Sequence, residues 1–142
     1  MTQFRGQKMV DGKDQRPLVS LVMNFTKPTD TKPSLLTFNE VTTFLHEFGH
    51  ALHGMFSKCT YGSTSMDGVS RDFVELPSQF MENYALEKEW LDKWAGHYQT
   101  GEKIPQEYID KIKKSSNFQA GYASDRQLSF GMVDMAWHTI TE

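Results

Sequence analysis

The sequence predicts a mainly α-helical chain with a minor β-strand contribution. Three observations carry this. Apolar residues recur at helical spacing through Val41, Phe44, Leu45, Phe48, Leu52, Met55 and Phe56. Thr37 and Glu40 stand ahead of that run at capping-box spacing, where each side chain can satisfy an orphan backbone N–H of the first turn. Strand character is confined to Pro17 to Phe25, where β-branched and apolar residues alternate roughly with period two.

Taken in order, residues 1–16 are polar and basic, contain Gly6 and Gly12, and read as loop. The strand follows, and then a loop from Lys27 to Ser34 holding two prolines. The first helix is expected from about Thr37 to Ser57, with Leu36 and Val41 at hydrophobic-staple positions. Cys59 to Ser70 is rich in Gly, Ser, Thr and Asp and reads as loop, with a turn at Asp67-Gly68. A second helix is expected from about Asp72 to Trp90. Pro77 falls inside it, so that helix either kinks or starts later. Trp90 and Trp94, four apart, read as a packing face. Pro105 opens a third helix to about Lys114, and a fourth covers Ala120 to Thr139.

Composition limits what the chain can do. It has 142 residues, 23% of them charged and 38% hydrophobic, which fits a soluble globular chain and not a disordered one. A net charge of -3 argues against a nucleic-acid partner. No apolar run reaches the roughly 18 residues a membrane span needs, so no membrane partner is expected. The N-terminus carries no signal-like apolar stretch. With a single cysteine, Cys59, which reads as an ordinary thiol, the expected location is the cytoplasm.

One run carries chemistry. His46-Glu47-Phe48-Gly49-His50 is an H-E-x-x-H sequence on the most regular helix. Residues four apart lie one above the other on a helix face. Two imidazoles so placed can hold one zinc at about 2.0–2.1 Å each. Glu47 is then beside the ion and placed to take a proton from an attacking water. The alternative is two surface histidines on an amphipathic helix. A catalytic zinc takes three protein ligands, so one more is needed. His53 is seven residues from His46. That is a rise of about 10.5 Å, too far for one ion to be shared with His50 between them. His53 is therefore read as structural. Glu75, on the second helix, is the better candidate, although Asp72, Glu82 and Glu87 lie nearby.

Two stretches in this order, His46 to Ser57 (HEFGHALHGMFS) and Arg71 to Tyr84 (RDFVELPSQFMENY), resemble the thimet-oligopeptidase family of zinc peptidases. The branch they most resemble is the bacterial peptidyl-dipeptidase (dipeptidyl carboxypeptidase) type. Phe4-Arg5-Gly6, Pro33 to Phe38 and Asp134 to His138 also match, so the likeness covers nearly the whole chain, residues 1–142. The resemblance implies a helical zincin-type catalytic core. It implies one Zn²⁺ per chain on His46, His50 and Glu75, with Glu75 standing 25 residues after His50. Glu47 is implied as the base in hydrolysis of short peptides. Asp72 and Gln79 flank Glu75 and are the expected acceptors for the free ring N–H of the ligating histidines.

The family pattern is several times longer. Its later tyrosines and histidine, which bind substrate and stabilise the tetrahedral intermediate, have no counterpart before Glu142. The chain therefore reads as a fragment of a catalytic domain. Two outcomes stay open: a working oligopeptidase core, or a zinc-binding piece with impaired turnover. Its many Phe and Met residues also suggest self-association through surface that other segments would cover.

Overall fold

The computed structural model describes residues 1–141. The chain divides into two compact units, Met1–Trp94 and Ala95–Glu142.

The first unit opens with four short strands: β1 Thr2–Arg5, β2 Lys8–Val10, β3 Lys13–Gln15 and β4 Leu18–Ser20. β1 pairs antiparallel with β4, and β2 with β3, so one hairpin is nested inside the other pair. The loop expected over residues 1–16 is thus largely strand. Its inner hairpin turns on Asp11 and Gly12, both with positive φ (50° and 75°), the backbone that a two-residue hairpin turn requires. The strand expected from Pro17 to Phe25 keeps only Leu18–Ser20. Its partner β1 is four residues long, and nothing remains to pair with the chain beyond.

Helix α1 runs Phe38–Phe56 with Thr37 as its N-cap. The capping box forms on both sides: Glu40 N–H donates to Thr37 Oγ1 at 3.2 Å, and Thr37 N–H donates to Glu40 Oε2 at 2.7 Å. Thr26 also donates to Glu40 Oε1 through its N–H and its hydroxyl. These bonds, with the Thr37 amide leading, hold the Glu40 carboxyl below its ordinary range, so the folded helix selects the carboxylate.

The other end of α1 is tied to the strands. Arg16 donates through Nη1 to Ser57 O at 2.9 Å and through Nη2 to Met55 O. Buried Gln7 donates to Asp14 Oδ1 and Cys59 O and accepts from Cys59 N–H. The polar N-terminal residues thereby serve as the terminus of the longest helix in this unit.

After α1 come two 3₁₀ turns, Gly62–Thr64 and Met66–Gly68, the second holding the expected Asp67-Gly68 turn. Asp67 Oδ1 accepts from Gln3 Nε2 at 2.5 Å, which ties this segment to β1. The expected second helix begins later than Asp72. Residues 71–75 are turn, α2 spans Leu76–Glu82 with Pro77 in its first turn, and a 3₁₀ turn covers Asn83–Leu86. Proline explains the start, because the first turn is where a missing N–H costs nothing. Helix α3 follows at Lys88–Trp94; Leu91 is its buried residue, while Trp94 is 73% exposed and does not pack as expected.

Helix α2 packs on α1 at Gly49. A Cβ built there would lie 2.6 Å from Pro77 O and 2.6 Å from Ser78 Cα. Only glycine permits this approach of backbone to backbone.

The second unit holds a bridge between Gly96 and Lys103, then α4 Gln106–Ser116 and α5 Ala120–His138. Pro105 takes the N-cap of α4 instead of its first helical position. In α4 Ile109 is fully buried. Helix α5 has no buried residue. Among the described residues no helix is long and apolar enough to cross a membrane.

Candidate metal centre

His46 and His50 sit one turn apart on α1, their rings edge to face with centroids 4.9 Å apart. Glu75 is the N-cap residue of α2, not a residue of the helix interior as expected. The close approach at Gly49 sets the start of α2 against the middle of α1, and that contact delivers Glu75 to the histidines. Its Oε2 lies 3.2 Å from His46 Nε2 and 3.1 Å from His50 Nε2. The three donor atoms all fall within 4.8 Å of one another. Four ligands at about 2.0–2.1 Å around a tetrahedral ion stand about 3.3 Å apart, so the carboxylate stands from each imidazole at the spacing such an ion needs, and the donor set fits zinc in its chemistry.

The ligand oxygen of Glu75 is itself held. Ser78, fully buried, donates its hydroxyl to Glu75 Oε2 at 2.8 Å and to Glu75 O at 2.9 Å. The Ser78 bond, assisted by the charges of His50 and His46, keeps the Glu75 carboxyl below its ordinary range against a small burial effect. The residue is an anion wherever a metal could use it.

Glu47, half-buried beside His46, faces the Met1 ammonium and accepts a hydrogen bond from it. That bond is the main cause of a lowered Glu47 pKa, with the charges of the ammonium, His50 and His46 adding to it. An ionised carboxylate is the form a general base needs.

The expected acceptors for the ring N–H groups are not where the sequence reading put them. His46 Nδ1 lies 2.6 Å from Glu82 Oε1. Asp72 instead accepts from Ser70 Oγ at 2.5 Å, and Gln79 takes part through its backbone, donating to Glu75 O. The late start of α2 accounts for Asp72, which lies in the turn over residues 71–75; Gln79 stands one helical turn after Glu75, and the residue that meets His46 is Glu82, three positions farther on. Glu82 is in the quoted Arg71–Tyr84 stretch, but its meeting with a residue 36 positions upstream has no local signal.

His53 stands apart from the three donors, as its spacing requires. It lines a separate cavity of about 450 Å³ with Leu52, Phe56, Met66, Phe80 and Met81. Cys59 is half-buried and donates to Thr64 O at 3.3 Å, an ordinary thiol by its contacts.

Comparisons with known proteins place the chain in a family. The model of Peptidase family M3 matches residues 1–142. Oligopeptidase A of Escherichia coli (strain K12) is 46% identical over 132 residues, covering 92% of this chain and 19% of that protein. Dipeptidyl carboxypeptidase of the same organism is 40% identical over 126 residues, covering 89% of this chain and 18% of that protein. A probable cytosolic oligopeptidase A of Arabidopsis thaliana is 46% identical over 124 residues, covering 87% and 18%. The chain spans about a fifth of the length of these curated relatives. With a family model matched across its whole length, and a His-His-Glu donor set drawn together beside an ionised glutamate, the chain belongs to Peptidase family M3, a family of metallopeptidases.

Proposed function

We propose that these residues form the zinc-binding core of a peptidase that hydrolyses peptide bonds in short peptides. The observation that carries the reading is the convergence of His46 Nε2, His50 Nε2 and Glu75 Oε2 on one point, with Glu47 beside it. Zinc, when bound there, supplies Lewis acidity to a water and to the substrate carbonyl. Glu47 takes a proton from the attacking water and hands it to the leaving amine. The cytoplasm is proposed as the location, on the single cysteine and the relative named as probably cytosolic.

The test pairs metal analysis with cleavage of a quenched fluorescent oligopeptide. We expect about one zinc per chain in the parent and in Glu47→Gln, with hydrolysis lowered roughly 10²- to 10⁴-fold in the variant. Loss of zinc along with activity would make Glu47 a ligand instead of a base. Unchanged hydrolysis would remove it from the mechanism.

A second reading is favoured by coverage. Because the chain spans about a fifth of its relatives, zinc binding can be complete here while turnover needs segments carried elsewhere in a longer polypeptide. A zinc-loaded chain with no measurable cleavage selects that reading.

Self-association is the partner expected of the second unit. In α5, Leu128, Phe130, Met132, Val133, Met135 and Trp137 are all exposed, Met132 and Trp137 by 74% and 71%. They are spread around the helix and do not form one stripe, a pattern that belongs to a helix covered on several sides. Sedimentation velocity should show a mean mass that rises with concentration. A sharp monomer at high concentration would dismiss the association.

A further inference from the structure

We propose that Glu82 is the positioning residue of the metal centre, fixing the tautomer and ring plane of His46. The inference rests on the His-His-Glu reading above and deepens it. A carboxylate can only accept, so the 2.6 Å contact between Glu82 Oε1 and His46 Nδ1 requires the proton to sit on Nδ1. With an ion between them, Nε2 would offer it the lone pair, and Nε2 is the atom that faces Glu75 Oε2. The opposite tautomer would place a proton where the ion belongs and leave a lone pair against a carboxylate.

The placement follows from the length of one helix. Glu75 and Glu82 bracket α2, the first at its N-cap and the second as its last residue. Seven residues at 1.5 Å each carry the chain about 10.5 Å, from the Nε2 side of the His46 ring to its Nδ1 side. One segment thus supplies an anionic ligand, the hydroxyl that holds that ligand, and the carboxylate that orients the first imidazole. His50 has no such brace: among the described residues its buried Nδ1 has no hydrogen-bond partner. His46 is oriented by charge, and His50 by the packing of its helix on α2.

The alternative is that Glu82 merely ties α2 to α1. Two variants separate the roles. Glutamine at 82 keeps an acceptor oxygen and loses the charge; alanine loses both. For Glu82→Ala we expect zinc affinity, measured by competition with a chromogenic chelator, to fall roughly 10- to 100-fold. Glu82→Gln should recover most of that loss. The urea midpoint of the metal-free chain should move little in either, since the Glu82 side chain is 34% exposed and leaves no buried hole.

A second readout is spectroscopic. In ¹⁵N-edited spectra of the zinc-loaded parent, the His46 Nδ1–H should lie downfield and exchange slowly with water, as a proton held by a carboxylate does, and Glu82→Ala should lose both features. A fast-exchanging His46 Nδ1–H in the loaded parent, or zinc held by Glu82→Ala as tightly as by the parent, overturns the inference. A fall in urea midpoint matching the loss of affinity also overturns it, in favour of a structural tie. If the parent itself fails to take zinc, the metal centre is wrong; equal zinc affinity in all three proteins leaves the centre standing and removes Glu82 from it.

Discussion

Replacing Glu75 with alanine is expected to strip the chain of zinc. Glu75 is the one anion among the three donors, and its Oε2 is the atom within 3.2 Å of both imidazole nitrogens. Two histidines one turn apart would leave half of a tetrahedral shell to water. Outer partners of metal ligands alone cost about 10- to 100-fold in affinity when removed, so loss of the ligand itself should exceed about 100-fold. Elemental mass spectrometry of the parent should give about one zinc per chain and of Glu75→Ala almost none. Tight stoichiometric zinc in the variant would sink Glu75 as the third ligand. The pH sense of the same group is fixed by its lowered pKa. Ionised Glu75 favours the folded chain above the ordinary carboxylate value of 4.5, and that contribution is lost as pH falls through the lowered value.

Gly49→Ala should do comparable damage without touching a ligand. Alanine normally stabilises a helix interior over glycine by about 1 kcal/mol. At Gly49 the added methyl would meet backbone atoms, Pro77 O and Ser78 Cα, at 2.6 Å each. Backbone cannot turn aside as a side chain can, so α2 must move off α1 and take Glu75 with it. Overpacking of this kind costs about 1–3 kcal/mol, which cancels or exceeds the propensity gain. Loss of zinc should accompany the loss of stability. Gly121→Ala is the control: it lies in α5, nothing stands within 4 Å of its Cβ, and it should be neutral or mildly stabilising. Thermal unfolding and metal analysis of the two variants together check the argument. A stabilised, zinc-loaded Gly49→Ala chain would mean that the two helices do not pack this closely.

What could be read from the sequence follows the range of the forces involved. Helix α1 was legible because its signals are local: the apolar spacing, the capping box and the H-E-x-x-H run all lie within twenty residues. The late start of α2 was half legible, since Pro77 marks it, but the periodicity around it does not. The N-terminal hairpin was legible and overlooked. Asp11-Gly12 is a strong turn signal, yet β2 and β3 are three residues each and mostly charged or polar, so no alternation of hydrophobicity advertises them. Glu82 could not be assigned from spacing, because only the packing of α2 on α1 brings it to His46. Ser78 bonds Glu75 three residues before it, a local contact whose value shows only once Glu75 is seen to face the histidines.

Helix α1 stops without a left-handed glycine; its C-cap is Ser57 at φ -52° and ψ 132°. The carbonyls of Met55 and Ser57 that a local motif would have satisfied are taken by the guanidinium of Arg16, some forty residues upstream. The tolerance of the chain to substitution is redistributed accordingly. Positions 57 and 58 are released from the usual demand for glycine, and the demand moves to position 16. There a lysine is not equivalent, because a single ammonium does not present the planar fork that reaches two carbonyls and Asp14 at once. A residue that reads as one more surface charge in a basic tail is thus among the least replaceable in the unit.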